Sequence, residues 1–174
     1  MGVYSRAGTW YIILGIFMLL SVIGAIASFI GALLTEIPWL LLVIGVIWIL
    51  SAIILILTGV FTLPLAGESG VGMFTAAGGL LIIDGILTLV YGILPFIDIS
   101  LFFSMGMIVS IIGLITFILL GIALMRLGDT TGEGSIRTAG IITLIGAILL
   151  IIAVGYIILL IGLIMAGSAV KKLE

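Results

Sequence analysis

The chain alternates between long apolar runs and short polar breaks. The runs occupy about Thr9 to Leu34, Pro38 to Leu63, Met73 to Leu94, Ser100 to Leu127, and Ile136 to Val170. Inside each run the apolar positions are continuous rather than alternating. That pattern predicts membrane helices, which need about 20 apolar residues, and excludes the dyad repeat of a transmembrane barrel. The breaks are Thr35-Glu36-Ile37-Pro38, Pro64 to Gly70, Pro95-Phe96-Ile97-Asp98, and Gly128 to Ser135. Each joins a charge that requires water to a proline or glycine that ends or restarts a helix. Arg6, an apolar run and Ala25-Ile26-Ala27 imitate a secretory signal, but the run continues to Leu34 and predicts a retained first helix.

The last run is too long for one crossing. As a single helix it would measure roughly 50 Å at 1.5 Å per residue, against a hydrocarbon core of about 30 Å. As a pair it becomes Ser135–Ala153 and Tyr156–Lys172, turning at Val154-Gly155. An internal repeat favours the pair. Ala7-Gly8 is followed by Gly15, Ala77-Gly78 by Gly85, and Ala139-Gly140 by Gly146. The second and fourth helices match through Gly45 and Gly59, then Gly106 and Gly121. Six spans also place Arg6, Arg126, Arg137, Lys171 and Lys172 on one side, as the positive-inside rule requires. The expectation is an all-α polytopic transmembrane bundle of six helices in successive hairpins. Five helices, with a long last one, are the alternative. The N-terminus is expected in the cytoplasm, with the plasma membrane as the location.

Composition narrows the chemistry. The chain is 65% hydrophobic and 7% charged, whereas soluble domains carry about 25% charged residues. No loop is long enough to form a soluble domain, so residues 1–174 form one transmembrane domain. Without cysteine or histidine, disulfides, zinc fingers, iron–sulfur clusters and histidine-ligated haem are excluded. No cofactor or metal is expected. A net charge of −2 offers no nucleic-acid surface. The serines have no histidine to act as base, and the lysines stand at the C-terminus, away from any intramembrane serine. GDTTGEG lacks the lysine and hydroxyl of a phosphate loop, and no strand precedes it. An enzyme is therefore not expected.

Small residues recur every seventh position: Gly45, Ala52 and Gly59; Gly78, Gly85 and Gly92; Gly106 and Gly113; Gly155 and Gly162. That spacing keeps them on one helix face, where close backbone approach drives association in lipid. Trp10, Tyr11, Trp39 and Tyr156 read as interface anchors.

Asp84 is the one ionisable group near the middle of a span. A charged aspartate there costs roughly 2.5–3.5 kcal/mol on insertion scales. Thr88 and Tyr91 follow at helical spacing and can share its face. Every lysine and arginine lies away from that depth. The carboxyl can serve as a hydrogen-bonded structural acid, as a contact to a partner subunit, or as a proton or cation site. Glu36 and Asp98 read as solvated turn charges; Glu68, Asp129 and Glu133 as surface charges near Arg126 and Arg137.

The C-terminal stretch carries a resemblance. Thr138-Ala139-Gly140, Ile145 to Leu149, Val154-Gly155 and Lys171-Lys172 resemble the ending of an archaeal family of multispanning membrane proteins of unknown function. The resemblance implies an archaeal membrane and supplies no catalytic residue; Asp84 is outside its pattern. The leading expectation is a non-catalytic integral subunit that packs with and stabilises a larger membrane complex, through other subunits or self-association. The alternative is a small proton- or cation-coupled transporter or channel using Asp84.

Overall fold

The computed structural model describes residues 2–35, 39–151 and 154–174. They form α1 (Val3–Thr35), α2 (Trp39–Thr62), the short α3 (Pro64–Ser69), α4 (Met73–Ile93), α5 (Ile99–Thr131), α6 (Gly134–Ile148) and α7 (Val154–Val170). No strand occurs among the described residues. Five of the helices are long and apolar enough to cross a membrane, and α6 is a shorter apolar helix. The molecule is an all-α membrane bundle.

Its six principal helices close into a ring. Each packs against its neighbour in sequence, and α7 returns to pack on α1. Glycines set the close seams. On α2 and α4, Gly45 faces Gly92, Ala52 faces Gly85, and Gly59 faces Gly78. A methyl group on Gly85 would lie 2.9 Å from the Ala52 carbonyl oxygen. Gly121 of α5 faces Gly140 of α6, and Gly8 of α1 faces Gly167 of α7. The repeat thus has a spatial meaning. The first helix of each hairpin (α1, α4, α6) turns its Ala-Gly pair toward the second helix of the neighbouring hairpin. Ala7, Ala77 and Ala139 are all fully buried.

The outer surface of the six principal helices carries apolar stripes. Ile16, Leu20 and Ile23 of α1, Ile83, Ile86 and Val90 of α4, and Val154, Ile157 and Ile161 of α7 are exposed at helical spacing. In lipid such stripes face acyl chains and carry no penalty.

The last hairpin is shorter than the wall it completes. α6 has 15 residues beside the 33 of α5. Gly128 packs on Arg137, and Gly121 on Gly140 and Leu144. In this antiparallel register α6 runs out alongside Phe117. α7 likewise begins partway along α1: Gly8 meets Gly167, and Gly15 meets Leu160 and Leu163. Beyond that level α1 and α5 continue past the described ends of α6 and α7.

The structure refines several expected boundaries. The last run is two antiparallel helices, but α6 ends at Ile148 and a 3-10 turn follows over Leu149–Ile151. Val154 and Gly155 therefore open α7 instead of forming the turn. PLAGESG is not a simple turn: Pro64 starts α3, and Gly70, at φ 70°, ends it. Most of GDTTGEGS is helical; α5 continues through Thr131, Gly132 caps it at φ 72°, and α6 begins at Gly134. Positive φ is strained for residues other than glycine, and glycine in this role ends helices. Tyr11 is no interface anchor: it is fully buried, with its hydroxyl 3.2 Å from that of Thr62. Trp10 stacks on Phe61 at 5.6 Å. The expected turn at Glu36, Ile37 and Pro38 lies outside the described residues.

Candidate functional site

Asp84 sits on the ring-facing side of α4, between Leu81 and Thr88 on the same stripe. The two neighbouring turns of that stripe, with Gly78 and Gly85 beside it, lock α4 onto α2. This seam fixes the direction in which the carboxyl points. Asp84 is 3% exposed and Thr88 2%. Both line a cavity of about 490 Å³ inside the ring. Among the described residues, no hydrogen bond or ion pair reaches the Asp84 carboxyl. On α5, a methyl group added to Gly113 would lie 3.5 Å from Oδ2. Glycine leaves the space above the carboxyl open.

The cavity gathers residues from distant parts of the chain. Leu14, Phe17, Met18 and Ser21 come from α1, Trp48, Ser51 and Leu55 from α2, and Ser110, Leu114 and Phe117 from α5. Leu150, in the 3-10 turn after α6, and Tyr156, near the start of α7, also line it. The Ser21 and Ser51 hydroxyls are 3.0 Å apart, and each also donates to the carbonyl four residues earlier in its own helix. Ser110 donates to the Gly106 carbonyl. The walls are otherwise aliphatic or aromatic. An ionised carboxyl in such surroundings requires a compensating cation or a proton, because an unpaired buried charge is among the costliest groups to enclose.

Of the expected trio, the structure brings Asp84 and Thr88 together in the cavity and places Tyr91 elsewhere. Tyr91 stacks on Phe102 at 4.3 Å and meets Trp48 edge-on at 5.3 Å. Gly106 makes room for its hydroxyl, at 3.1 Å from an added methyl group. So Gly106 and Gly113 of α5 accommodate side chains of α4, while Gly45, Ala52, Gly59, Gly78, Gly85 and Gly92 bring backbones together. Gly162 packs on Thr143, and Gly155 lies directly against the Leu149 carbonyl. The buried Thr143 hydroxyl has no partner among the described residues, but the Gly162 backbone packs directly in front of it.

Sequence reading missed Ser21, Ser51, Ser110 and Tyr156 as companions of Asp84. The available signal was a hydroxyl near the middle of each of three separate apolar runs. Aligning the runs by depth would have put all three near the carboxyl.

The remaining charges stay at the ends. Arg137 Nε lies 3.2 Å from Asp129 Oδ1, with both side chains more than half exposed; such surface pairs contribute little. Glu174 accepts from the Ser5 backbone N–H at 3.0 Å, tying the C-terminal residue to the start of α1. Asp98 caps α5, accepting from the backbone N–H groups of Ser100 and Leu101. The Ser100 hydroxyl and these N–H groups hold its carboxyl below the usual range. Among the described residues, no cluster of three or more acidic side chains could hold a metal ion.

Comparison with curated proteins and with solved structures finds no match. Residues 91–164, less than half of the chain, match the family described as "Protein of unknown function (DUF996)". Tyr91 opens the matched stretch, and Asp84 and Thr88 lie before it. In its C-terminal part the chain is thus similar to an uncharacterised family.

Proposed function

We propose that this protein is a small membrane carrier or channel in which Asp84 takes up a proton or a monovalent cation. One observation carries the reading: a buried carboxyl without a partner among the described residues faces a cavity large enough for a ligand. Pockets of about 300–1,000 Å³ are the usual size of small-molecule sites. A purely structural acid would be expected to hydrogen-bond a neighbour, since buried polar groups are normally satisfied. The glycine faces that suggested a subunit of a larger complex are occupied here by the chain's own helices, which favours a self-contained device over an assembly factor.

The basic end of the bundle, carrying Arg6, Arg126, Arg137, Lys171 and Lys172, faces the cytoplasm in this proposal, in accord with the positive-inside rule. The membrane is the plasma membrane. The test is flux into liposomes containing the purified protein, read with a pH-sensitive dye and with sodium and potassium indicators. Asp84→Asn should abolish flux and Asp84→Glu should retain part of it. Undiminished flux in Asp84→Asn, with all else equal, overturns the proposal.

A further inference from the structure

We infer that the cavity's ligand is a lipophilic organic cation that passes in from the bilayer, through a window between α1 and α5. The inference rests on the cation-site reading of Asp84 and narrows the cation's chemical class. It stands on three features of the cavity.

The first is what surrounds the charge. A bare inorganic cation wants a shell of oxygens, six or more for calcium and a near-octahedral set for magnesium. This cavity offers the Asp84 carboxyl and the Thr88 hydroxyl. Its other oxygens are single neutral hydroxyls on separate helices, Ser21 of α1, Ser51 of α2, Ser110 of α5 and Tyr156 of α7, and no second carboxylate stands in its described lining. An organic cation with an apolar body needs only one counter-charge. Its remaining surface would meet Leu14, Phe17, Leu55, Trp48 and Phe117, which line the same space.

The second is size. At about 490 Å³ the cavity is far larger than one carboxyl and a dehydrated metal ion require. A purely proton-accepting site has no use for that volume.

The third is the direction of access. α6 ends alongside Phe117 on α5, and α5 continues from there to Ile99. That leaves a gap beside α5 past the described end of α6, along a helix that runs on for roughly 25 Å at 1.5 Å per residue. The cavity extends into this gap: Met107, 73% exposed, and Ile111, 51% exposed, both belong to its lining. The gap lies in the half of the bundle away from the basic end, at the depth of apolar stripes on the neighbouring helices. An amphiphile partitioned into the hydrocarbon would reach Asp84 without crossing water.

The experiment measures the equilibrium binding and the association rate of radiolabelled tetraphenylphosphonium with the protein in lipid nanodiscs. The wild type, Asp84→Asn, Asp84→Glu and Ser110→Trp are compared, with sodium and potassium as competitors. The expected result is saturable one-to-one binding, weakened at least tenfold by Asp84→Asn and retained by Asp84→Glu. Ser110→Trp, which narrows the window, should slow association at least fivefold. Flux of protons or sodium that depends on Asp84, without tetraphenylphosphonium binding, overturns this inference and leaves the cation-site proposal standing. Neither binding nor Asp84-dependent flux overturns both. Should Asp84→Asn fail to give a monodisperse protein, the two other variants decide. An association rate in Ser110→Trp equal to wild type removes the lateral window.

Discussion

Gly59 of α2 and Gly78 of α4 stand backbone to backbone. A methyl group on Gly59 would lie 2.7 Å from the Gly78 carbonyl oxygen, and one on Gly78 3.0 Å from that of Gly59. The first distance is shorter than a side chain tolerates against a backbone oxygen, and the second is tight enough that the neighbouring helix must give way. Six residues away from the Gly78 position the same helix pair carries Asp84, and the seam therefore sets where the carboxyl points.

Gly78→Leu should push the two helices apart and lower stability by about 1–3 kcal/mol, the usual cost of overpacking. Gly79→Ala is the control: nothing lies within 4 Å of its added methyl group. Alanine there should be neutral or stabilising by up to about 1 kcal/mol, because glycine is the poorer helix former. Thermal unfolding in a mild detergent separates the two. Equal midpoints for both variants would show that the seam is not where the packing energy resides.

Asp84→Leu should raise the thermal midpoint while removing transport. The carboxyl costs roughly 2.5–3.5 kcal/mol at mid-membrane relative to an apolar residue on insertion scales, and no hydrogen bond among the described residues offsets it. Sites that cost stability are the mark of function. A lower midpoint in Asp84→Leu would identify the carboxyl as a structural bond instead.

Asp98 gives a pH-dependent term. Its hydrogen bonds to Ser100 and Leu101 hold its carboxyl below the ordinary value. A group lowered in the folded state contributes above its unfolded pKa, about 3.9 for aspartate, and loses that contribution as pH falls through the folded value. Asp98→Ala should therefore lower the midpoint at pH 7 and matter progressively less toward pH 2. A gap between variant and wild type that stays constant over this range would exclude the cap as its cause.

Gly155 controls the last hairpin. A methyl group there would overlap the Leu149 carbonyl, so Gly155→Val should open the turn and destabilise α6 and α7 together. The antiparallel α6 and α7 bring both chain ends to one face, where Glu174 meets Ser5. Single cysteines at Ser5 and after Glu174 should react with an impermeant maleimide from the same side. Labelling from opposite sides would mean that α6 and α7 do not both cross.

Much of this architecture is readable from the chain alone. Continuous apolar runs exceed what any soluble surface can carry, so the bilayer, the helical class and the approximate ends of α2, α4 and α5 follow from hydropathy. The seven-residue recurrence of Gly45, Ala52 and Gly59, and of Gly78, Gly85 and Gly92, follows from helix geometry. So does the isolation of Asp84, because one carboxyl among aliphatic residues stands out in any order. The sequence had no means of saying which glycine faces which. Seam partners are decided by the ring closing on itself, a property of all six helices together. Tyr11 looked like an interface residue because its place in the chain is near an end; only packing shows its hydroxyl beside Thr62. The cavity is likewise a tertiary product. It exists because α6 has fewer than half the residues of α5, and a short hairpin in a ring of longer helices leaves a gap that no local pattern encodes.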